Sequence, residues 1–376
     1  MRILHLICTD GISGAEKHLK YLLPGMAAYG HECHLIIVHP GSSKDLLVVF
    51  AADLNSKSVK TTLIKANNPL SYSVLKKINN YLKTNDIDII HSHLSRSDIL
   101  AVLLKQFFLK KLYIISTKHG YQESVLTNYD PTYYKKPCNW YYFVTKYCLS
   151  KIDNNISISN CLSQLFINFN FTKEFYKVIY HGVDVAVEEN KLENFVNRGP
   201  KLIIVGRLEP YKGHKYVIDA MKVVLKTIDN AELYVLGEGS NKENLKAQAI
   251  ENRIADRIHF LGFQKNALGY MSKSDLVIVP SLFEPFGLVF IEAMGLKKCV
   301  VAFDVPAGNE ILNNKTGQLV PKHDVVILAE KIIELLLNNS KREIIQNEAY
   351  LYYLQNYTTA IMIRKTAEHY NTLSFP

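Results

Sequence analysis

The stretch Val279-Pro280-Ser281-Leu282-Phe283-Glu284-Pro285-Phe286-Gly287-Leu288-Val289-Phe290-Ile291-Glu292-Ala293-Met294-Gly295 reads in order as the end of an apolar strand, a loop and a helix. Pro285 suits a first helical turn, where its missing N–H costs nothing, and Gly287 lets another group approach the backbone closely. The helix start then presents unsatisfied N–H groups to an anion, helped by the helix dipole. Glu284 and Glu292 are too far apart for a glycosidase carboxylate pair, since eight helical residues span about 12 Å. They are expected to grip different parts of one elongated ligand. The alternative is that Glu284 caps the helix electrostatically and Glu292 is a solvated or structural residue.

Outward from this unit the pattern repeats. Short β-rich apolar runs alternate with helix-patterned stretches from end to end, the βαβ signature of parallel sheets covered on both faces. Strands are predicted at Arg2–Cys8, Cys33–Val38, Thr61–Ile64, Asp88–His91, Leu112–Thr117, Asn155–Ser159 and Lys177–Tyr180, then at Lys201–Val205, Glu232–Leu236, Ile258–Leu261, Leu276–Val279 and Cys299–Ala302. The polar stretch Val187–Pro200 reads as a linker, and the tail from Asp324 onward as successive helices without a strand. At about 100–200 residues per domain, 376 residues make two. The expected division is 1–186, joined by the last helix at about 357–376, and 187–356. In open parallel sheets ligands bind beyond the carboxyl ends of the strands, so the residues just after each strand are the candidate site.

Two further loops satisfy that rule. After the strand that opens the second half comes Gly206-Arg207-Leu208-Glu209-Pro210-Tyr211-Lys212-Gly213-His214. Arg207 offers a planar fork for phosphate oxygens and Lys212 a compact charge, so a diphosphate suits both. The first strand runs into Cys8-Thr9-Asp10-Gly11-Ile12-Ser13-Gly14-Ala15-Glu16, a glycine-containing turn that departs from GxGxxG and therefore argues against a dinucleotide site. A phosphate-facing or acceptor-facing loop and an ordinary strand-to-helix turn both remain open there.

Composition narrows the classes. Hydrophobic residues at 48% and charged residues at 21% describe an ordinary folded protein. No apolar run approaches the ~18–20 residues that cross a bilayer, and the N-terminal run lacks a cleavage site, so a cytoplasmic chain is expected. The six cysteines form no CxxC pair and are expected to be reduced thiols. The net charge of +9 is uneven: residues 101–150 hold seven lysines against two carboxylates. There, Pro131–Phe143 mixes aromatics with lysines, which suits peripheral contact with an anionic membrane; the alternative is a helix packing its rings into the first core with its lysines solvated. No nucleic-acid module is present. Asp86-Ile87-Asp88 precedes a strand, opposite the expected ligand side, and His91 and His93 have no third ligand at convincing spacing nearby, so no metal is expected.

Taken together these motifs resemble the retaining glycosyltransferases of family 4, which have the GT-B fold. Besides GRLEPYKG and EPFGLVFIEAMG, the resemblance is carried by GAEKHLKYLLPGMAAYGHE from Gly14, DIDIIHSH from Asp86, VIYHGVD from Val178 and TGQLVPKHD from Thr316. It implies two Rossmann-like domains facing across a cleft, followed by C-terminal helices. It also implies that Arg207 and Lys212 bind the diphosphate of a nucleotide diphosphate-sugar, UDP- being expected, that Glu292 bonds the ribose and that Glu284 contacts sugar hydroxyls. Backbone amides of Phe286, Gly287 and Leu288 would face sugar and phosphate, His119 would stand beside the transferred sugar, and Gly14 near the phosphates. A partly buried structural histidine is the alternative for His119. The chain departs from the family pattern at Lys297-Lys298-Cys299 and at Asp304–Glu310.

The resemblance thus implies a retaining, metal-independent hexosyltransferase without a cofactor, acting on a saccharide or lipid-linked saccharide in bacterial surface polysaccharide synthesis (lipopolysaccharide, O-antigen or capsule). A sugar-nucleotide epimerase of the same fold and a non-catalytic nucleotide-sugar binding protein are the alternatives.

Overall fold

The computed structural model describes residues 1–42, 44–121, 137–187, 192, 195 and 199–373. Most of the expected linker Val187–Pro200, and residues 131–136 of the aromatic and lysine stretch, lie outside the described residues.

The chain forms two compact units: Met1–Gly182 with Thr359–Pro376, and Val183–Thr358. The first is built on a sheet of seven parallel strands, β1 Arg2–Cys8, β2 Glu32–His39, β3 Lys60–Lys65, β4 Ile89–His93, β5 Tyr113–Lys118, β6 Asn154–Ser157 and β7 Lys177–Val178, in the order β3-β2-β1-β4-β5-β6-β7. The second carries six, β8 Lys201–Val205, β9 Glu232–Leu236, β10 Ile258–Gly262, β11 Leu276–Val279, β12 Cys299–Phe303 and β13 Gln318–Val320, ordered β10-β9-β8-β11-β12-β13 and also parallel. Central strands such as β9, β11 and β12 are buried throughout, which is why they read as unbroken apolar runs rather than alternating ones.

Each sheet reverses its strand order once, between β1 and β4 in the first and between β8 and β11 in the second. Adjacent crossovers leave in opposite directions there, opening a crevice beyond the carboxyl ends of those strands. The loops after β8 and β11 are the two singled out by sequence.

The helix Thr359–Asn371 belongs to the first unit, where Met362, Ile363 and Tyr370 enter the core with Leu19, Leu22 and Met26 of the helix Gly14–Ala28. Gly25 permits the contact, because a Cβ there would lie 2.2 Å from Ile363 Cδ1. Among the described residues no helix is long and apolar enough to cross a membrane.

Three expectations need correction. The helix after β11 spans Leu288–Gly295, so Pro285 lies in the loop and not in the first helical turn. Gly287 has a φ of 92°, a left-handed conformation that holds the helix off until the next residue. Only the second part of the Glu284–Glu292 interval is therefore helical. The stretch Gln318–Val320, read without a strand, pairs with β12 as a short edge strand. Lys297, in the first departure from the family pattern, adopts φ 53° where the helix ends, a conformation usually left to glycine.

Candidate active site

Beyond β8 the chain tightens through Gly206 and Arg207 into a single 3-10 turn, Pro210–Lys212, before the helix His214–Thr227. Gly213 joins them at φ 70°, and a Cβ on it would sit 1.9 Å from the Pro280 carbonyl oxygen, so only glycine brings this turn onto the loop after β11. One backbone bond fixes the approach: Leu282 N–H donates to the Tyr211 carbonyl at 2.8 Å.

That approach pairs residues 72 apart in sequence. Lys212 Nζ donates to Glu284 Oε1 at 2.5 Å, and Ser281 Oγ donates to the same oxygen at 2.7 Å. Glu284 is buried, and its charge is met by the ammonium and the hydroxyl as burial demands. Arg207 lies over the Tyr211 ring at 5.7 Å from its centroid, with Lys212 at 5.4 Å, and Arg207 also donates to the Tyr211 hydroxyl. Both cations are thus gathered about one ring. Glu209 faces elsewhere: the hydroxyl and amide of Ser240 bond its carboxyl and hold its pKa below the usual range.

A hollow opens at this junction, lined by Gly206, Lys212, His214, Pro280, Ser281 and Glu284. Arg207 and Gly287 are not among its lining residues. The Phe286 side chain is buried with its ring 6.1 Å from that of Tyr357, which anchors the loop and leaves only its backbone to meet a ligand. Leu288 opens the helix, and Glu292, half-buried, stands one turn further on.

His214 was not singled out by sequence. It is buried at the mouth of its helix, and neither ring nitrogen has a partner among the described residues. Burial above all, then the Lys212 charge, lowers its pKa to about 4, so it is neutral at neutral pH. Nothing in the spacing marks it; the left-handed Gly213 alone turns it inward.

The remaining candidates lie in the first unit. Gly14 opens the helix Gly14–Ala28, whose Ser13 donates from both N and Oγ to Glu16 Oε2 at 2.7 Å. His119 follows β5 and belongs to a cluster of imidazoles. His5 Nδ1 bonds His93 Nε2 at 3.0 Å, and His93 Nδ1 bonds His119 Nε2 at 3.0 Å. His18 and His181 bond each other through their Nδ1 atoms at 2.8 Å, and the His181 ring stacks on His119 at 5.3 Å. His91 bonds Thr117 Oγ1 and the Tyr370 hydroxyl. Burial is the leading cause that lowers all six pKa values, to about 3 for His5 and His18, so the rings are neutral.

This corrects the expectation about His91 and His93. His5, from a strand 86 residues earlier, supplies a third imidazole beside them, and the nearest ligand atoms of the three lie within 4.8 Å of one another, as do those of His18, His93 and His119. Each neutral imidazole carries one N–H. Three rings in series therefore use two for their bonds and leave the third at an end, on His5 Nε2 or His119 Nδ1, the two ring nitrogens with no partner among the described residues. Asp86 and Asp88, at the opposite edge, are engaged by Arg2, whose N donates to Asp88 Oδ2 at 2.8 Å.

Comparison with known proteins agrees with this layout. The family described as Glycosyltransferase Family 4 matches residues 12–187, and Glycosyl transferases group 1 matches 187–352. An uncharacterised glycosyltransferase of Methanocaldococcus jannaschii is 30% identical over 271 residues, 70% of each chain. The chain belongs to glycosyltransferase family 4. A Campylobacter jejuni N-acetylgalactosamine-N,N'-diacetylbacillosaminyl-diphospho-undecaprenol 4-alpha-N-acetylgalactosaminyltransferase is 25% identical over 90% of this chain and 91% of its own. Two other relatives are matched over about half their length, 44% and 51%. The crystal structure of Anabaena HepE in complex with UDP and glucose has the same fold, with a TM-score of 0.82 at 20% identity over 99% of this chain and 100% of that one. The GT-B fold of this family 4 glycosyltransferase is thereby established.

Proposed function

We propose that this glycosyltransferase moves a sugar from a nucleotide diphosphate-sugar, UDP- being the expected nucleotide, to a saccharide or lipid-linked saccharide with retention of anomeric configuration. The observation that carries this reading is the Lys212–Glu284 pair at the β8/β11 reversal, where a cation and a carboxylate meet at a helix mouth. Expelling a nucleotide diphosphate builds negative charge on the leaving oxygen. Lys212, Arg207 and the amides of Gly287 and Leu288 meet that charge, so no metal is required. Glu284 holds the Lys212 ammonium in place before the donor arrives and accepts a sugar hydroxyl afterwards. Glu292 bonds the ribose, and Gly14 and His119 contact phosphate and transferred sugar.

Retention follows front-face transfer, in which the acceptor hydroxyl gives its proton to a donor phosphate oxygen as the new bond forms and the old one breaks. The name of the Campylobacter jejuni relative includes a diphospho-undecaprenol-linked saccharide, which supports a lipid-linked acceptor, work at the cytoplasmic face of a membrane and a part in surface polysaccharide synthesis.

Thermal shift against a panel of nucleotide-sugars tests the donor, and the best one is then incubated with saccharide acceptors. Expected are stabilisation lost in Lys212→Ala, donor consumption only with acceptor, and an α-linked product from an α-donor. Turnover without acceptor would identify an epimerase, binding without any turnover a non-catalytic protein, and an inverted product would end the front-face mechanism.

A further inference from the structure

The helix Trp140–Leu149 buries Tyr142, Cys148 and Leu149 and leaves its other side in solvent. On that side Trp140, Phe143 and Tyr147 are 72%, 58% and 48% exposed. Their spacings of three and four put them on one face. The neighbouring helix Ser95–Phe107 extends the surface: Gln106 Nε2 donates to the Tyr147 hydroxyl, and Phe107 beside it is 70% exposed. Single exposed rings are ordinary, whereas several gathered in one patch mark a surface that meets something apolar.

Lysines rim the patch. Lys146, on the same helix, and Lys151, just beyond it, are exposed, and Lys151 Nζ lies 5.8 Å from the Tyr147 ring centroid. The nearby carboxylate of Asp153 is taken up by Lys105 at 2.6 Å, so it does not cancel the rim. Amphipathic rings ringed by flexible cations suit the boundary of an acidic bilayer, where rings enter the headgroup layer and ammonium groups stay with the phosphates.

We propose that this face docks the enzyme on an anionic lipid bilayer. A second copy of the chain fits poorly, because a two-fold contact through one patch would set the same lysines against each other. The inference rests on the lipid-linked acceptor and gives it a location, since docking would concentrate the enzyme where that acceptor lies.

Trp140 is the only tryptophan in the chain, so its emission reports this face directly. The full chain is titrated with vesicles of phosphatidylcholine alone and of phosphatidylcholine mixed with phosphatidylglycerol. Expected is a blue shift with the mixed vesicles only, reversed by salt. Each lysine near an acidic surface contributes about fivefold in affinity, so Lys146→Gln with Lys151→Gln weakens binding by roughly 25-fold. Phe143→Ser keeps its melting temperature and loses the shift.

No shift with acidic vesicles, an equal shift with neutral ones, or unchanged binding by the variants overturns the proposal. A shift that follows protein concentration without vesicles does so too, by identifying self-association. Donor-induced stabilisation is measured in the same samples. Its persistence without vesicle binding sinks the docking face alone, and its loss with vesicle binding intact sinks the donor reading alone.

Discussion

Acidification should unfold the first unit before the second. In five buried histidines of the first unit, His5, His18, His91, His93 and His181, burial pushes the pKa well below the ordinary value, to about 3 for His5 and His18. An unfolded histidine titrates near 6.5, so below that pH the unfolded chain takes up protons that the folded one refuses. Stability is therefore intact above pH 6.5 and drains as pH falls towards the folded values. At pH 5 His5 and His18 cost about 2 kcal/mol each, so these two alone cost about 4 kcal/mol against a typical total of about 5–15 kcal/mol. At about 2–4 °C per kcal/mol for a unit of this size, the first melting transition should fall by at least about 8 °C between pH 7.5 and 5. The second unit holds one comparable group, His214, with its pKa at about 4, and should fall by only about 4–8 °C. Scanning calorimetry across this range gives the two shifts, and proteolysis at each transition with mass spectrometry of the fragments assigns them. If the first unit loses less than about 4 °C, or the second falls further, the histidines are not held neutral as described.

Other outcomes follow from single contacts. Lys212→Ala should lower kcat by about 10²–10³ in a transfer assay, as the loss of one preorganised charge does, and should also lower the melting temperature of the second unit, because the buried Glu284 carboxylate loses its counter-charge. Gly213→Ala forces a Cβ against the Pro280 carbonyl in a left-handed turn. It should cost about 1–3 kcal/mol in denaturant unfolding and weaken donor binding by parting the two loops. In Asp98→Asn the buried Lys118 ammonium, now held at 2.7 Å, loses its counter-charge. That change should destabilise the first unit by about 3–5 kcal/mol, read from the urea midpoint, with donor stabilisation of the second unit retained.

The sheets were legible because their strands are buried on both faces. Arg2–Cys8, Lys201–Val205, Glu232–Leu236 and Leu276–Val279 are largely apolar runs stopped by glycine, proline or a polar residue, and the sequence places their ends where the structure does. The edge strand Gln318–Val320 was missed because three residues carry too little pattern. Pro285 misplaced the helix start, since a proline before a left-handed glycine occupies a loop as readily as a first turn. The loops after β8 and β11 were chosen by strand-end position and residue chemistry, but their meeting through Lys212 and Glu284 depends on strand order, which no local window contains. The same holds for His5, which reaches His91 and His93 through the pairing of β1 with β4. His214 gave no signal at all, as a histidine beside a glycine is common.

The excursion of the chain has a consequence for its making. Residues 183–358 are an uninterrupted stretch whose strands and helices are complete before Thr359 is added. The earlier half, although synthesised first, still lacks Met362, Ile363 and Tyr370 and keeps the apolar side of its opening helix bare meanwhile. A chain cut short after residue 358 would therefore hold one finished body tethered to one unfinished one.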